Sequence, residues 1–384
     1  MPGRALAVVV GLAGIAFVAV HWGDRYQWKP DSLFYEAQLL RVQGTPKDEA
    51  LHRVFTGPLA APRVREELRD TPPARRTVAS PAWVRYSERF YDRRWVVPAL
   101  GAAIEPALGD DALRAVSLAG YVLTGLLVYV LLALRFRPWI AAVVSLGVLA
   151  LGPLRYWSLL PLTDSFGVAL EAAALATAVL ALRRPRPWLA VFALTMLALS
   201  FTRDATIVVI PGLAWLAVRE RSRRALVTLA TGAAASLPAP LLFGAPAREI
   251  VAYTLNQFHP PPHASWSFIR SRYFDGEKGL VKDDLTYLVH HPYVGLFAVG
   301  GIIALYAVRN SDTATRVLRG AVAGAVVLLF FAPNYTALRL ELPFVPLAAY
   351  GVALALHAVG RRAPRRPVPI PGRQLVRSGG GPAP

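Results

Sequence analysis

The stretch "ALRAVSLAGYVLTGLLVYVLLALRFR", residues 112–137, is apolar along most of its length and stops at two arginines, Arg135 and Arg137. An α-helix needs about 20 residues to cross the hydrocarbon layer of a bilayer, and 112–134 supplies them. The pattern recurs: candidate spans are 5–22, 112–134, 138–154, 160–182, 187–202, 205–218, 225–243, 289–308, 317–332 and 340–358. The 384 residues are 55% hydrophobic and only 17% charged, with a mean hydropathy of +0.41, too apolar for a soluble domain of this size. Gly, Pro, Ser and Thr recur inside the spans, as they do where membrane helices pack closely or bend around a cavity. The sequence predicts an all-α polytopic membrane protein with about ten transmembrane helices, forming one domain over 1–360.

Arg135 and Arg137 also give the orientation. With the N-terminus inside and ten crossings, the inside segments hold 19 basic residues, among them "RRPR" (183–186), "RERSRR" (219–224) and six arginines after 360. Against these stand two acids, Glu220 and Asp312, so nearly all of the net charge of +18 falls on one face. That is the positive-inside pattern, and it places both termini in the cytoplasm. The charge is topological and needs no nucleic-acid partner. The spans 187–202 and 205–218 are short, divided only by Arg203 and Asp204, and read either as a hairpin of two crossings or as one kinked helix. The first span reads as a cleaved signal peptide or an uncleaved helix. The aromatic flank Trp22, Tyr26, Trp28 and the absence of a small-x-small cleavage site favour the helix.

This topology leaves two long segments outside, 23–111 and 244–288. The chain has no cysteine, so no disulfide holds them. Residues 31–43 are predicted to form an interfacial helix through Leu33, Phe34, Ala37, Leu40 and Arg41, with Asp31 as its N-cap after Pro30. The charged, Pro-rich stretch 45–92 is predicted to be partly ordered, and the basic Pro/Gly tail 361–384 to be disordered.

Polar residues at the outer helix ends supply the candidate chemistry. The stretch 27–44 sets Asp31, Tyr35 and Glu36 just outside the first span. Asp164 opens the fourth, Arg203 and Asp204 form the turn between the fifth and sixth, and Arg339 and Glu341 precede the last. If the helices close around them, these charges line an outward-opening cavity; singly, each could instead sit in the headgroup region. Glu171 lies near the middle of its span, seven residues after Asp164 and on the same face. A charge at that depth costs about 2.5–3.5 kcal/mol, so it should face protein or a cavity, in a structural hydrogen bond or a functional role. His259 and His263 in "HPPPH" have zinc-like spacing, but the prolines forbid the helix that would align them. No P-loop, dinucleotide fingerprint, HExxH or Asp-x-Asp is present.

"DSLFYEAQLLRVQG" resembles the first external loop of GT-C-type integral membrane glycosyltransferases, particularly the bacterial RgtA/ArnT/PMT-like group, with Asp31, Tyr35, Ala37 and Gly44 matching. "YDRRWVVPALGAAIEPALGDDALRAVSLAGYVL" resembles the segment before their second span, with Arg94 and Pro98 matching. "LRLELPFVPLAAYGVALAL" resembles their Arg-containing last helix, with Arg339 and Pro343 matching. The resemblance covers the layout of the chain and these three short motifs. It departs where an Asp-Glu pair is frequent in parts of the group, because Asp31 is followed here by Ser32. It implies a GT-C-like fold in a bacterial cell (inner) membrane and an extracytoplasmic active site. The implied partners are a polyprenyl-phosphate sugar donor entering from the lipid bilayer and a lipid, glycan or protein acceptor. The implied roles are Asp31 as catalytic base and Arg203 and Arg339 as donor phosphate-binding residues. Tyr35, Glu36, Arg94, Asp164, Glu171, Asp204 and Glu341 are further cavity candidates. No cofactor is required on this reading, which leaves room for a divalent metal at the carboxylates. A transporter or lipid flippase coupled through Glu171, or a membrane scaffold, is the competing class.

Overall fold

The computed structural model describes residues 2–26, 28–57, 80–255, 265–308, 312–330 and 338–362. His259, His263, the middle of the Pro-rich stretch and the tail beyond 362 lie outside the described residues. Among the described residues the regular structure is helical throughout, with no strand.

The first span is α1 (Pro2–His21). The segment after it is built as helices: α2 (Pro30–Val42), α3 (Lys47–Phe55), α4 (Pro81–Glu88) and α5 (Val96–Leu108). The bundle continues through α6 (Ala112–Ala133), α7 (Pro138–Leu149), α8 (Gly152–Ser158), α9 (Asp164–Arg183), α10 (Pro185–Ser200) and α11 (Thr206–Glu220). It is completed by α12 (Arg223–Ser236), α13 (Pro238–Phe243), α14 (Ala247–Leu255), α15 (Trp266–His290), α16 (Pro292–Ala307), α17 (Thr313–Phe330) and α18 (Val345–Arg362).

Six helical stretches are long and apolar enough to cross a membrane: Gly3–His21, Val96–Ala133, Asp164–Arg183, Arg223–Phe243, Thr313–Phe330 and Leu342–Arg361. The number rises to eight if the bent pairs α7–α8 (62°) and α15–α16 (112°) each make one span. This is a multi-pass α-helical membrane protein. Within the described residues the expected apolar segments fall on helices, of which six to eight stretches are long and apolar enough to cross a membrane, fewer than the ten expected. The 187–218 region consists of two helices, α10 and α11, interrupted at Phe201–Ala205.

The apolar stretch Val96–Ala133 is bent back on itself. Gly109 takes a left-handed φ of 55°, which an L side chain resists, and the turn brings Gly101 of α5 against Leu113 of α6. Helix α5 therefore lies folded on the end of α6 and against α2, as part of the segment between the first two spans. At this end Arg114 is buried and donates to the His21 and Trp22 carbonyls at 2.7 and 2.8 Å, satisfying acceptors that the end of α1 leaves open.

Helix α9 is the hub, touching α6, α10, α11, α12, α17 and α18. Its approach to α6 depends on small residues: a Cβ at Gly120 would lie 2.5 Å from the Phe166 nitrogen. Ser165 Oγ donates to the Ser117 carbonyl at 2.6 Å, and Thr124 Oγ1 to the Ser165 carbonyl at 3.0 Å. In hydrocarbon, close van der Waals approach and interhelical hydrogen bonds take over the cohesive role that hydrophobicity plays in water.

The segment after α1 is held without disulfides. Phe34 of α2 stacks on Tyr91 with ring centroids 4.6 Å apart, and Trp83 is buried against Phe34 and Phe55. Arg41 pairs with Asp92 at 2.7 Å, and Lys47 with Glu88 at 2.8 Å and Asp92 at 3.2 Å. Helices α3 and α4 are the described ordered parts of 45–92, and pairing between their charges helps to hold them. The expected cap is also corrected: the N-cap position of α2 is Lys29, and its N–H is met by Ser32 Oγ at 3.3 Å. Pro30 occupies the first helical position, where its missing N–H costs nothing. Asp31 sits in the first turn and its carboxylate points elsewhere.

Candidate active site

Asp31, at the start of α2, lies opposite the turn before α18, where Arg339 Nη1 approaches Asp31 Oδ2 at 2.7 Å. The other carboxylate oxygen accepts the Tyr91 hydroxyl at 2.6 Å. The same guanidinium grips Asp164 in a fork, Nε to Oδ1 at 2.8 Å and Nη2 to Oδ2 at 2.9 Å, and lies 5.1 Å over the Trp157 ring. Asp164 is fully buried and also takes a hydrogen bond from Arg203 Nη1. Paired and bidentate contacts of this kind are what a buried carboxylate requires.

A second strand of the network runs alongside. Arg94 Nη1 donates to the Tyr35 hydroxyl at 2.6 Å, which lies 3.2 Å from Thr163 Oγ1 beside Asp164. Arg94 Nη2 approaches Asp204 at 4.0 Å, and Arg93 pairs with the other Asp204 oxygen. Four guanidiniums (Arg93, Arg94, Arg203, Arg339) thus face three carboxylates (Asp31, Asp164, Asp204), leaving the cluster cationic by one charge.

The charges set the protonation states. Burial would raise the Asp31 carboxyl, but Arg339, the Tyr91 hydroxyl and Arg94 hold it below its ordinary 3.8. Burial, with the Asp31 charge beside it, pushes the Tyr91 hydroxyl well above its usual range, so Tyr91 stays a donor. Against the cost of its burial, Arg339 is kept protonated by Asp164 and Asp31. Asp31 is therefore ionised and doubly satisfied when nothing else occupies the site.

Seven of the ten residues singled out from the sequence converge here: Asp31, Tyr35, Arg94, Asp164, Arg203, Asp204 and Arg339. Three do not. Glu36 belongs to an acidic surround, where burial and the charges of Asp110 and Glu105 push it up to about 7. Glu341 turns away to Asp284 on α15. Glu171 lies two turns along α9 from Asp164, wholly buried in the bundle, and neither oxygen has a hydrogen-bond partner among the described residues. Between them Gly167 makes room for the Arg203 stem, whose Cδ would lie 2.8 Å from a Cβ there.

Sequence reasoning missed Tyr91, Arg93, Thr163 and Trp157. Tyr91 and Arg93 stood in the quoted "YDRRW", where only Arg94 was singled out; Thr163 and Trp157 carry no signal apart from their neighbours. Among the described residues no three His, Asp or Glu side chains come together as a metal site. No family model matches the chain, and no curated protein matches it.

Proposed function

We propose that this chain is a GT-C-type membrane glycosyltransferase that moves a sugar from a polyprenyl-phosphate donor to an extracytoplasmic acceptor with inversion. The observation that carries the reading is the shared guanidinium: Arg339 is held between Asp31 and Asp164, with Arg203 on the same Asp164 oxygen. A departing lipid phosphate needs cationic donors, and Arg339 offers Nη1, the nitrogen that Asp164 does not take, beside Arg203 at the end of the spans, where a lipid-borne group arrives. The acceptor needs a base, and Asp31 is the carboxylate beside them.

On this reading the phosphate draws Arg339 Nη1 away from Asp31. Losing that cation raises the basicity of Asp31 at the moment it is needed. The acceptor hydroxyl then attacks the anomeric carbon as the carbon–oxygen bond to phosphate breaks, its proton passes to Asp31, and the lipid phosphate leaves on the arginines. Tyr91 stabilises Asp31, and Arg94 fixes the Tyr35 hydroxyl beside Thr163. The ten-crossing topology, the cytoplasmic termini and the bacterial inner-membrane location belong to the same proposal.

The long segment between the first two spans favours an enzyme over a transporter, since it contributes Tyr91, Arg93 and Arg94 to the cluster. A transporter or flippase draws its support from Glu171, a buried carboxylate without a partner. Reconstituted protein supplied with a polyprenyl-phosphate bearing a labelled sugar separates the two. Label appearing on an acceptor, and reduced when Arg339 is replaced by Lys, is the enzyme outcome. Movement of intact donor across the bilayer with no transfer is the transporter outcome and overturns the proposal.

A further inference from the structure

Helix α15 is 25 residues long and meets α16 at 112°, with only His291 between them. Helix α16 runs along α18, one of the stretches able to cross the membrane. The two approach so closely that a Cβ at Gly301 would run into the Ala348 carbonyl oxygen. Helix α16 therefore follows the direction of the spans, and α15 lies across their ends, close to the plane of the bilayer. A second anchor fixes its depth. The Tyr273 hydroxyl donates at 2.8 Å to the carbonyl of Phe330, the last residue of α17, which the end of that span leaves open.

The outward side of α15 is apolar. Phe274, Val281, Leu285 and Val289 recur at intervals of seven and four residues, which keeps them on one face of the helix. Phe274 and Val289 are 78% and 76% exposed, and Val281 and Leu285 are also exposed, whereas Ile269 and Leu280 are buried on the side that packs. The stripe borders a trough of about 830 Å³ whose lining includes Phe330, so it faces the same space as the end of α17. Lys278 and Lys282 stand in the trough with one acid, Glu277, which leaves it cationic by one charge.

A row of large apolar side chains open on one helix face marks an interaction surface. The two lysines decide what covers it. An apolar protein surface would bury their ammonium groups without an anion. A lipid layer takes the stripe at its acyl boundary, and lysine stems can run along that boundary to bring the ammonium groups to the phosphates. We propose that α15 is an interfacial helix: its Phe274–Val289 stripe rests on the acyl chains of one leaflet, and Lys278 and Lys282 bind lipid headgroup phosphates, with anionic phospholipids preferred. This docking surface depends on the helical bundle alone and not on the transfer reaction.

The test uses the full-length chain, which has no cysteine of its own, with the single substitutions Val281→Cys, Leu285→Cys and Arg272→Cys. Arg272 is exposed on the side of α15 away from the stripe. Each variant carries a bimane label in vesicles of phosphatidylcholine and phosphatidylglycerol. Labels at 281 and 285 should be quenched by phosphatidylcholine bearing a doxyl group near the head of its acyl chain, and little by acrylamide in the water. The label at 272 should show the reverse. With the doxyl group on trace phosphatidylglycerol, quenching at 285 should be stronger, by up to about fivefold for each lysine. K278E/K282E should abolish that excess and leave quenching by the phosphatidylcholine probe in place. Acrylamide reaching 281 and 285 as readily as 272 overturns the proposal. So does protection from both quenchers with Leu285→Cys chains cross-linking in pairs, which would make the stripe a contact between two copies. A phosphatidylglycerol excess that is absent, or that survives K278E/K282E, overturns the assignment of the lysines to phosphate.

Discussion

Arg339 and Asp164 meet fork to fork, with Nε and Nη2 at 2.8 and 2.9 Å from the two carboxylate oxygens, and the third guanidinium nitrogen is left for Asp31. Planarity makes this possible, since a guanidinium can present one edge to a buried anion and still direct Nη1 outward. A lysine has a single point of charge and can serve only one of the two carboxylates well. Asp164 thus holds the arginine at two points, and Asp31 holds it at one.

Asp164→Ala removes the anchor and leaves Arg203 and Arg339 as neighbouring cations out of water. Breaking one side of a buried pair costs about 3–5 kcal/mol, so the folded protein should be markedly less resistant to denaturant in detergent. Asp164→Asn keeps two hydrogen-bonding atoms in place and should cost less while still weakening the grip on Arg339. Equal stability of Asp164→Ala and wild type would show that the fork contributes nothing to the fold.

Gly167 tests the placement of Arg203. Replacing a helical glycine by alanine favours the helix by up to about 1 kcal/mol. The added Cβ, however, falls on the Arg203 stem, which must move away from Asp164. Because Asp164 keeps its fork to Arg339, Gly167→Ala should give up only part of the buried pairing, partly offset by the helix gain, and should lose transfer activity; Gly167→Leu should lose more of both. Unchanged activity in both variants would remove Arg203 from the working part of the site.

The topology is open to direct labelling. Glu49 in α3 is exposed and lies on the segment after the first span, while Arg224 lies in the basic turn before the body of α12. With single cysteines at these positions in a chain that has none, an impermeant maleimide applied to intact cells should label position 49. Position 224 should react only after lysis. The reverse pattern would invert the orientation and move the cluster to the cytoplasmic face.

Helical class, the positions of the apolar segments and most members of the polar cluster were legible in the sequence, because the bilayer imposes strong rules. It demands long apolar runs and places charged residues at their ends. Asp31, Asp164, Arg203 and Arg339 each stood at such an end, and helices of similar length bring equivalent ends to the same depth. Depth alone does not say which residues touch. Glu341 stood beside Arg339 but leaves the cluster, two residues further along a turn that begins at the left-handed Leu338. Glu36 followed Tyr35 but emerges on another side of α2. The start of the span at 112 was legible, but the fold-back of α5 was not, because it depends on Gly109 taking a positive φ that composition does not show. The role of Tyr91 was invisible for a different reason: it comes from a loop whose position is fixed only by tertiary packing against Phe34.

Asp31→Asn tests the proposed base. Asp31 is not the cap of α2, so the substitution does not open the helix end, and an asparagine still offers hydrogen-bonding atoms to Tyr91 and Arg339. Folding should survive at neutral pH. Because the folded carboxyl is held below its ordinary 3.8, its pairing stabilises the wild type above that value and is lost as pH falls through the folded value. The variant should therefore lack that part of the acid limb in a thermal-unfolding series. Transfer from a labelled polyprenyl-phosphate sugar should drop about 100- to 10,000-fold, the usual consequence of removing a general base. The two readouts are independent: the acid limb reports the ion pair with Arg339, and the rate reports proton removal. A variant that loses the acid limb and keeps near-normal turnover would leave Asp31 as a holder of Arg339 and require the base to be found elsewhere in the cluster.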